Sequence, residues 1–220
     1  MLSEYYTGKK IVISAGPTYE KIDPVRFIGN YSTGRMGYAI AEALADAGAE
    51  VHLVSGPVNI STENPAIRVY PVESAIEMYD ACTRLFPECH MAIMAAAVAD
   101  YRPEKAETAK IKKKSDELVL RLVKNPDILS ALGHMKKEGQ IVVGFALETN
   151  NEVANATEKL ERKNADAIVL NSLNDPGAGF RFDTNKISII LKKGTIFEYP
   201  LKDKHLVAID IITCISENLK

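Results

Sequence analysis

Apolar positions along the chain fall into two alternating rhythms. Short β-branched runs closed by glycine, "KKIVISAG" (Lys9 to Gly16) and "EVHLVSG" (Glu50 to Gly56), predict buried strands of a parallel sheet. Between them, "RMGYAIAEALADAGAEV" sets Met36, Ile40, Leu44 and Ala47 on one helical stripe, with Gly48 near the C-cap. The alternation continues with a strand near "IRVYPV", a helix over "ESAIEMYDACTRLF" and a buried strand over "MAIMAAAVAD". Beyond a lysine-rich polar stretch, "LVLRLV" predicts extended chain, "NPDILSALGHMKK" a helix, "IVVGFALE" a strand, "VANATEKLERKNA" a helix and "AIVLNS" a strand. "KISIILKK" and "GTIFEYPL" predict a hairpin turned at Lys193-Gly194, and "DKHLVAIDIITCISENL" a closing amphipathic helix. Residues 1–220 thus read as one α/β domain. Its fold class is a doubly wound, mostly parallel sheet with helices on both faces and a C-terminal β-hairpin plus helix, binding ligands beyond the carboxyl ends of the strands.

Residues with chemical potential cluster at those strand ends. A Rossmann-like dinucleotide site needs GxGxxG in a tight first turn and an acidic residue after the second strand, and neither is present. Instead, 17 residues separate Gly16 from Gly34, against about 2 to 6 for such a connection. Loops of that length in a compact domain are usually functional. This one ends in "FIGNYSTGRMG", where Gly29, Asn30, Ser32, Thr33, Gly34 and Arg35 precede or open a helix. Their side chains either cap that helix or join its unpaired N–H groups in holding an anion. "AAAVADYRPE" ends a strand in small residues, with Asp100 as an acceptor, which suits either a packed strand end or a flat base lying against backbone. Asn125 in "VKNPDIL" stands at a helix-cap position, and Phe145 is either core or a stacking platform. Lys110 and Lys112 share a face if "AKIKKKSDE" is extended, as do Lys159 and Lys163 on their helix. Each pair is a solvated surface or a phosphate clamp.

Composition narrows the classes. With 27 basic and 29 acidic residues the net charge is -2, so no long-range field steers the protein to nucleic acid or an anionic membrane. No apolar run reaches the roughly 20 residues that span a bilayer, and "MLSEYYTGKK" lacks a signal-peptide apolar region, so a cytoplasmic location is expected. Cys82, Cys89 and Cys214 form no CxxC pair and suit buried, reduced thiols. The four histidines form no HExxH or nucleophile motif, which disfavours zinc sites and hydrolytic triads. What remains is a nucleotide-polyphosphate site that works by positioning charge.

The segments "ISAGPTYEKIDPVRFIGNYSTGRMGYAIAEAL", "LVSGPV", "AAAVADYRP", "KIKK", "KNPDIL", "VGFALET" and "KLERKNAD" closely resemble, in order and spacing, the bacterial phosphopantothenate-cysteine ligases. The resemblance runs from about Lys9 to Leu219. It implies that CTP activates the 4'-phosphopantothenate carboxylate as an acyl-cytidylate with release of pyrophosphate. Cysteine then displaces CMP to give 4'-phosphopantothenoylcysteine, within coenzyme A biosynthesis. By the same resemblance Asn30 would hold the acyl-cytidylate and Lys110 would support the attack by cysteine. Met94, Ala95 and Ala96 would line the cytosine, with Asp100 on the nucleoside. Pro126, Asp127, Ile128 and Leu129 would wrap the nucleotide, Phe145 would border it, and Lys159 with Lys163 would meet the phosphates. The loop from Gly29 to Arg35 would serve the phosphopantothenate.

A magnesium ion held mainly by the nucleotide phosphates, a homodimer joined by strands outside the core sheet, and no partnership with nucleic acid or membrane are also implied. The hairpin after Lys186 is one candidate for the dimer contact. Many relatives fuse this ligase to a flavin-dependent decarboxylase; none precedes Lys9 here, so a stand-alone ligase or an excised domain without FMN is expected, with any decarboxylase separate or fused elsewhere. Arg35 stands where relatives often carry lysine, which keeps the charge and alters the donor geometry. The stretch between Asp100 and Asp116 is expected to order as a lid over nucleotide, since an acyl-cytidylate must be kept from water. Two other readings use the same fold: an NAD(P)-dependent reductase, and a nucleotide-binding module without turnover. ATP is the alternative nucleotide.

Overall fold

The computed structural model of the protein describes residues 2–112, 116–148, 150–172 and 182–219. Eight strands form the central sheet. Six are parallel: β1 (Lys10–Ala15), β4 (Glu50–Ser55), β5 (Ile67–Pro71), β6 (Met91–Met94), β9 (Ile141–Glu148) and β10 (Ala167–Ser172). Numbered among themselves in chain order, they run 3-2-1-4-5-6 across the sheet. The order reverses between β1 and β6, which places the ligand crevice at their carboxyl ends. Strands β11 (Thr184–Leu191) and β12 (Ile196–Asp203) continue the sheet antiparallel beyond β10. The expected C-terminal hairpin is therefore present, turning between Leu191 and Ile196 with Gly194 at φ 86°. It forms the edge of the main sheet. Two small ribbons lie outside that sheet, β2 (Tyr19–Lys21) with β3 (Phe27–Gly29) and β7 (Tyr101–Pro103) with β8 (Leu122–Lys124).

Alternation along β1 sorts its side chains into two cores. Ile11 and Ile13 face one side with Ile40 and Leu44 of α2 (Arg35–Asp46) and Val207, Ile211 and Ile215 of α6 (Lys204–Asn218). Val12 faces the other with Met78 of α3 (Ala75–Leu85), Leu132 of α4 (Ile128–Met135) and Leu160 of α5 (Glu152–Arg162). Each fully buried aliphatic side chain contributes about 2 kcal/mol of transfer free energy, and the continuous β-branched runs supply them to both faces. All three cysteines are buried and free, and burial pushes the Cys82 thiol up to about 12 and the Cys89 thiol up to about 11.

One element is added to those expected and two expectations change. A short helix, α1 (Leu2–Tyr6), precedes β1; the Tyr6 hydroxyl donates to the Ile212 carbonyl at 2.7 Å, tying the N-terminus to α6. The strand expected over "MAIMAAAVAD" ends at Met94. There the backbone turns onto the segment after β1: Ala95 N–H donates to Ser14 O (3.2 Å) and Ala97 N–H to Gly16 O (2.9 Å), while Ala99 N–H reaches Thr18 Oγ1 (3.0 Å). Asn125 does not cap α4. Asp127 does, accepting from Ser130 N–H at 2.9 Å, while Asn125 Nδ2 donates to the Ala99 carbonyl at 2.8 Å.

Candidate functional site

The crevice at the strand-order reversal holds two chambers. The first, about 710 Å³, lies between the ends of β6 and β9 and the start of α4 and end of α5. Met94, Ala96 and Asp100 form one wall, Pro126, Asp127, Ile128 and Leu129 a second, and Phe145, Lys159 and Lys163 a third. The second, about 330 Å³, is lined by Asn30, Ser32, Thr33, Gly34 and Arg35 from the long loop and by Ala95 and Lys204 opposite. Ala96, Val98, Asp100, Phe145 and Lys159 line both, so the chambers meet there.

Lys159 stands at that junction. Its ammonium donates to the Phe145 carbonyl at 2.8 Å, and burial pushes its pKa below the ordinary lysine value despite the nearby Glu148 and Asp127. A half-desolvated cation whose hydrogen bond goes to a neutral carbonyl attracts an anion more strongly than a surface lysine does. Lys163, the residue after α5, pairs with Asp127. Burial alone would raise the Asp127 carboxyl, but Lys163 and the Ser130 N–H outweigh it and hold it below its usual value. An incoming phosphate competes with Asp127 for Lys163. The two lysines are thus part of a cleft wall rather than a solvated surface.

Asn30 connects the walls. Its side-chain N–H groups donate to the carbonyls of Ala97 (3.0 Å) and Val98 (3.2 Å), so the loop after β3 is joined to the small-residue segment after β6. The N-cap of α2 is Gly34 at φ 78°, which has no side chain to cap with, and Ser32 Oγ accepts from Gly34 N–H at 3.3 Å. A Cβ at Gly34 would stand 2.7 Å from Val58 Cγ1, so both the backbone angle and the contact select glycine. The 17-residue connection is accounted for by the β2–β3 ribbon, held by Tyr19 stacked on Phe27. Gly29 ends β3 and lines neither chamber.

Lys110 is not brought to the cleft. With Lys112 it lines a separate groove beside β7, and the residues that follow, 113–115, lie outside the described residues. The segment is held at Ile111. Its N–H donates to Asp23 Oδ2 at 3.0 Å, and its carbonyl accepts from the Arg26 guanidinium at 3.1 Å. Asp23 is 2% exposed and also accepts from the backbone N–H groups of Val25 and Arg26, each at 2.9 Å. The Arg26 guanidinium beside it, helped by these N–H donors, holds its carboxyl well below the usual carboxylate range. A carboxyl whose folded pKa is depressed contributes fully above its unfolded value and loses that contribution as pH falls through the folded value. Asp23→Asn is therefore expected to lower stability at neutral pH and to flatten its fall between about pH 5 and pH 2, read from melting temperatures across that range.

The second chamber also contains Lys204, which opens α6, and the amide side chains of Asn171 and Asn185. Asn171 follows the predicted strand "AIVLNS" and is expected at the cleft for that reason. Lys204 and Asn185 are not singled out by any motif, since a polar residue at such a position is too common to select. Among the described residues, no group of three or more His, Cys, Asp or Glu side chains converges to hold a metal ion, and no helix is long and apolar enough to cross a membrane.

Comparison with known proteins places this geometry. The "Cysteine/Cysteine sulfinic acid decarboxylase" of an unknown prokaryotic organism is 55% identical over 205 residues, 93% of this chain and 57% of that protein. The "Coenzyme A biosynthesis bifunctional protein CoaBC" of Bacillus subtilis (strain 168) is 45% identical over 205 residues, 93% of this chain and 50% of that protein. The chain spans about half the length of the curated relatives it matches. A crystal structure of the C-terminal domain of a coenzyme A biosynthesis bifunctional protein CoaBC superposes with a TM-score of 0.83 at 41% identity, covering 98% of this chain and 97% of that one. The family model for the DNA/pantothenate metabolism flavoprotein C-terminal domain matches residues 6–219, and with the fold and cleft it carries, this chain belongs to that family.

Proposed function

We propose that the chain is a phosphopantothenate-cysteine ligase of coenzyme A biosynthesis, with CTP as the activating nucleotide. The observation that carries this reading is the two-chambered cleft. Lys124, Lys159, Arg162 and Lys163 line one chamber, Arg35 and Lys204 the other, and the two meet at Lys159. Joining a nucleoside triphosphate to a second anionic substrate needs such an arrangement, because like-charge repulsion opposes their approach. No histidine or cysteine is among the described lining residues, so no protein nucleophile is invoked.

In this reading the nucleotide occupies the first chamber, its base against Met94 and Ala96, with Ala95 between them facing the second chamber, and its ribose by Asp100. Pro126 to Leu129 and Phe145 enclose it, and the phosphates run to Lys159 and Lys163. Magnesium enters on the triphosphate as part of that substrate. A carboxylate oxygen of 4'-phosphopantothenate, held in the second chamber by the Asn30 to Arg35 loop, attacks the α-phosphorus. The bond to the β-phosphate breaks and pyrophosphate leaves. The amine of cysteine then attacks the acyl carbon, the carbon–oxygen bond to CMP breaks, and the amine proton is lost. Asn30 orients the acyl-cytidylate from the wall it shares with Ala97 and Val98. The choice of CTP over ATP rests on the bacterial character of motifs such as "AAAVADYRP" and "KNPDIL". The working unit in this reading is a cytoplasmic homodimer, with no FMN of its own.

The decarboxylase name of one relative belongs to a protein of which this chain covers 57%, so it does not assign a reaction to this part. One assay separates the two. With magnesium, 4'-phosphopantothenate, CTP or ATP, and cysteine, the ligase reading expects pyrophosphate and phosphopantothenoylcysteine with CTP. Release of carbon dioxide from cysteine or cysteine sulfinate by this chain alone would overturn it.

Lys110 joins this scheme through closure of the segment clasped at Ile111. Trypsin cleavage after Lys110 and Lys112 is therefore expected to slow at least several-fold with magnesium and CTP; equal cleavage with and without nucleotide would remove the lid from the mechanism.

A further inference from the structure

The first chamber takes a polyanion in the reading above, yet Asp100, Asp127, Glu148 and Glu158 are among its lining residues. A carboxylate there repels such a ligand unless its charge is engaged or screened. Asp127 is engaged by Lys163, and Asp100 and Glu158 are exposed to solvent. Glu148 is half-buried and fixed in place. It ends β9, and its Oε2 accepts from Asn155 Nδ2 at 3.1 Å, while the same amide donates to the Asn150 carbonyl at 2.9 Å. Asn155 stands one turn before Lys159 on α5, so the two side chains share a face of that helix. The end of β9 therefore meets this face twice, at the Phe145 carbonyl that accepts from the Lys159 ammonium and at Glu148.

Charges act on Lys159 from each element around the chamber. Glu148 from β9, Asp127 from the start of α4 and Asp100 from the segment after β6 favour the ammonium, whereas Lys163 at the end of α5 opposes it; Glu148 is the strongest of the four. Lys124 of β8, with Glu158 and Arg162 of α5, completes the charged lining. We propose that Glu148, held by Asn155, is a positioning residue for Lys159: it is the fixed counter-charge that keeps the ammonium at the junction of the two chambers, despite the repulsion it adds beside a nucleotide. This rests on the ligase reading for what the ammonium serves, but not for the pairing of the two residues.

Glu148→Gln keeps an acceptor for Asn155 and deletes the charge. In the ligase assay the alkaline limb of kcat/KM for the nucleotide should move toward neutral pH. On the limb the variant should keep roughly a tenth of the wild-type value, the lower end of the effect of a nearby opposite charge, and the loss should shrink as pH falls. Glu148→Asp should recover part of it, and adding Glu148→Gln to Lys159→Met should move no limb. A residue with a merely structural role would lower kcat/KM by the same factor at every pH. That result, or a limb that moves equally in the Lys159→Met background, overturns the inference. Wild-type inactivity with both nucleotides would refute the ligase reading instead. Carbon-13 NMR of the Lys159 ε-carbon, its resonance assigned by its loss in Lys159→Met, then decides the pairing by itself: the titration should occur at lower pH in Glu148→Gln, and an unmoved titration overturns the inference.

Discussion

Lys159→Met is expected to lower kcat/KM for the nucleotide by about 100- to 1,000-fold, the range for removing one preorganised donor from a developing charge. The side chain lies where both chambers meet, and methionine keeps its length and apolar stem while deleting the ammonium. Fold should survive, since the Phe145 carbonyl loses one hydrogen bond and a desolvated charge is removed with it. The same burial gives the wild type a distinctive pH dependence. A lysine with a depressed folded pKa loses its charge at lower pH than an exposed one, so the alkaline limb of activity should begin below the usual lysine range. The stability sign is the reverse. Between the depressed folded value and the ordinary 10.5 the unfolded chain binds more protons, so Lys159 lets stability rise with pH in that window while activity falls. Steady-state kinetics and melting temperatures across the alkaline range read the two trends; parallel trends would contradict the assignment of the limb to Lys159.

Gly133→Ala is expected to destabilise the protein by about 3 kcal/mol, the upper part of the usual overpacking range. A Cβ there would stand 1.9 Å from the Lys163 carbonyl oxygen and 3.1 Å from that of Asn164, both backbone atoms that cannot rotate away. The junction is tight because Asn164, at φ 49°, donates its side-chain N–H to the Gly133 carbonyl at 2.7 Å, clamping α4 to the end of α5. For a chain of this size the melting temperature should fall by roughly 6 to 12 °C. Prising α4 from α5 also moves Lys163 from Asp127, so nucleotide KM should rise in the folded variant. A melting temperature within about 2 °C of wild type, under 1 kcal/mol on the same scale, would mean that the helices separate at little cost.

The main sheet is most legible in the sequence where its strands are buried on both faces. Runs such as "KIVISA", "IVVGFALE" and "AIVLNS" have no polar face to confuse with helix, and the observed strands lie within a residue or two of the expected ones. Legibility fails where backbone bonding depends on a distant partner. "MAIMAAAVAD" continues apolar past Met94, yet its later N–H groups turn to Ser14 O, Gly16 O and Thr18 Oγ1, atoms about 80 residues earlier. The β2–β3 ribbon escaped because three-residue strands leave no periodicity.

The cleft divides in the same way. Its loop and strand-end residues stand in dense motifs, so Asn30, Asp100, Asp127 and Lys159 could be anticipated, and the structure brings them to one crevice. Lys204 and Asn185 could not, because each reaches the chamber from the C-terminal hairpin and helix through ordinary sheet extension. Lys110 shows the converse: its motif is conspicuous, yet the Asp23–Arg26 clasp on Ile111 holds it in a separate groove.

In the proposed reaction a carboxylate oxygen of the acid substrate attacks the α-phosphorus of the nucleotide. Oxygen-18 in the carboxylate of 4'-phosphopantothenate, incubated with the protein, magnesium, CTP and cysteine, follows that oxygen. Phosphorus NMR should show one labelled oxygen in CMP for each amide formed, with the pyrophosphate unlabelled. Label in inorganic phosphate with formation of CDP, or amide formation with no label in CMP, would contradict it.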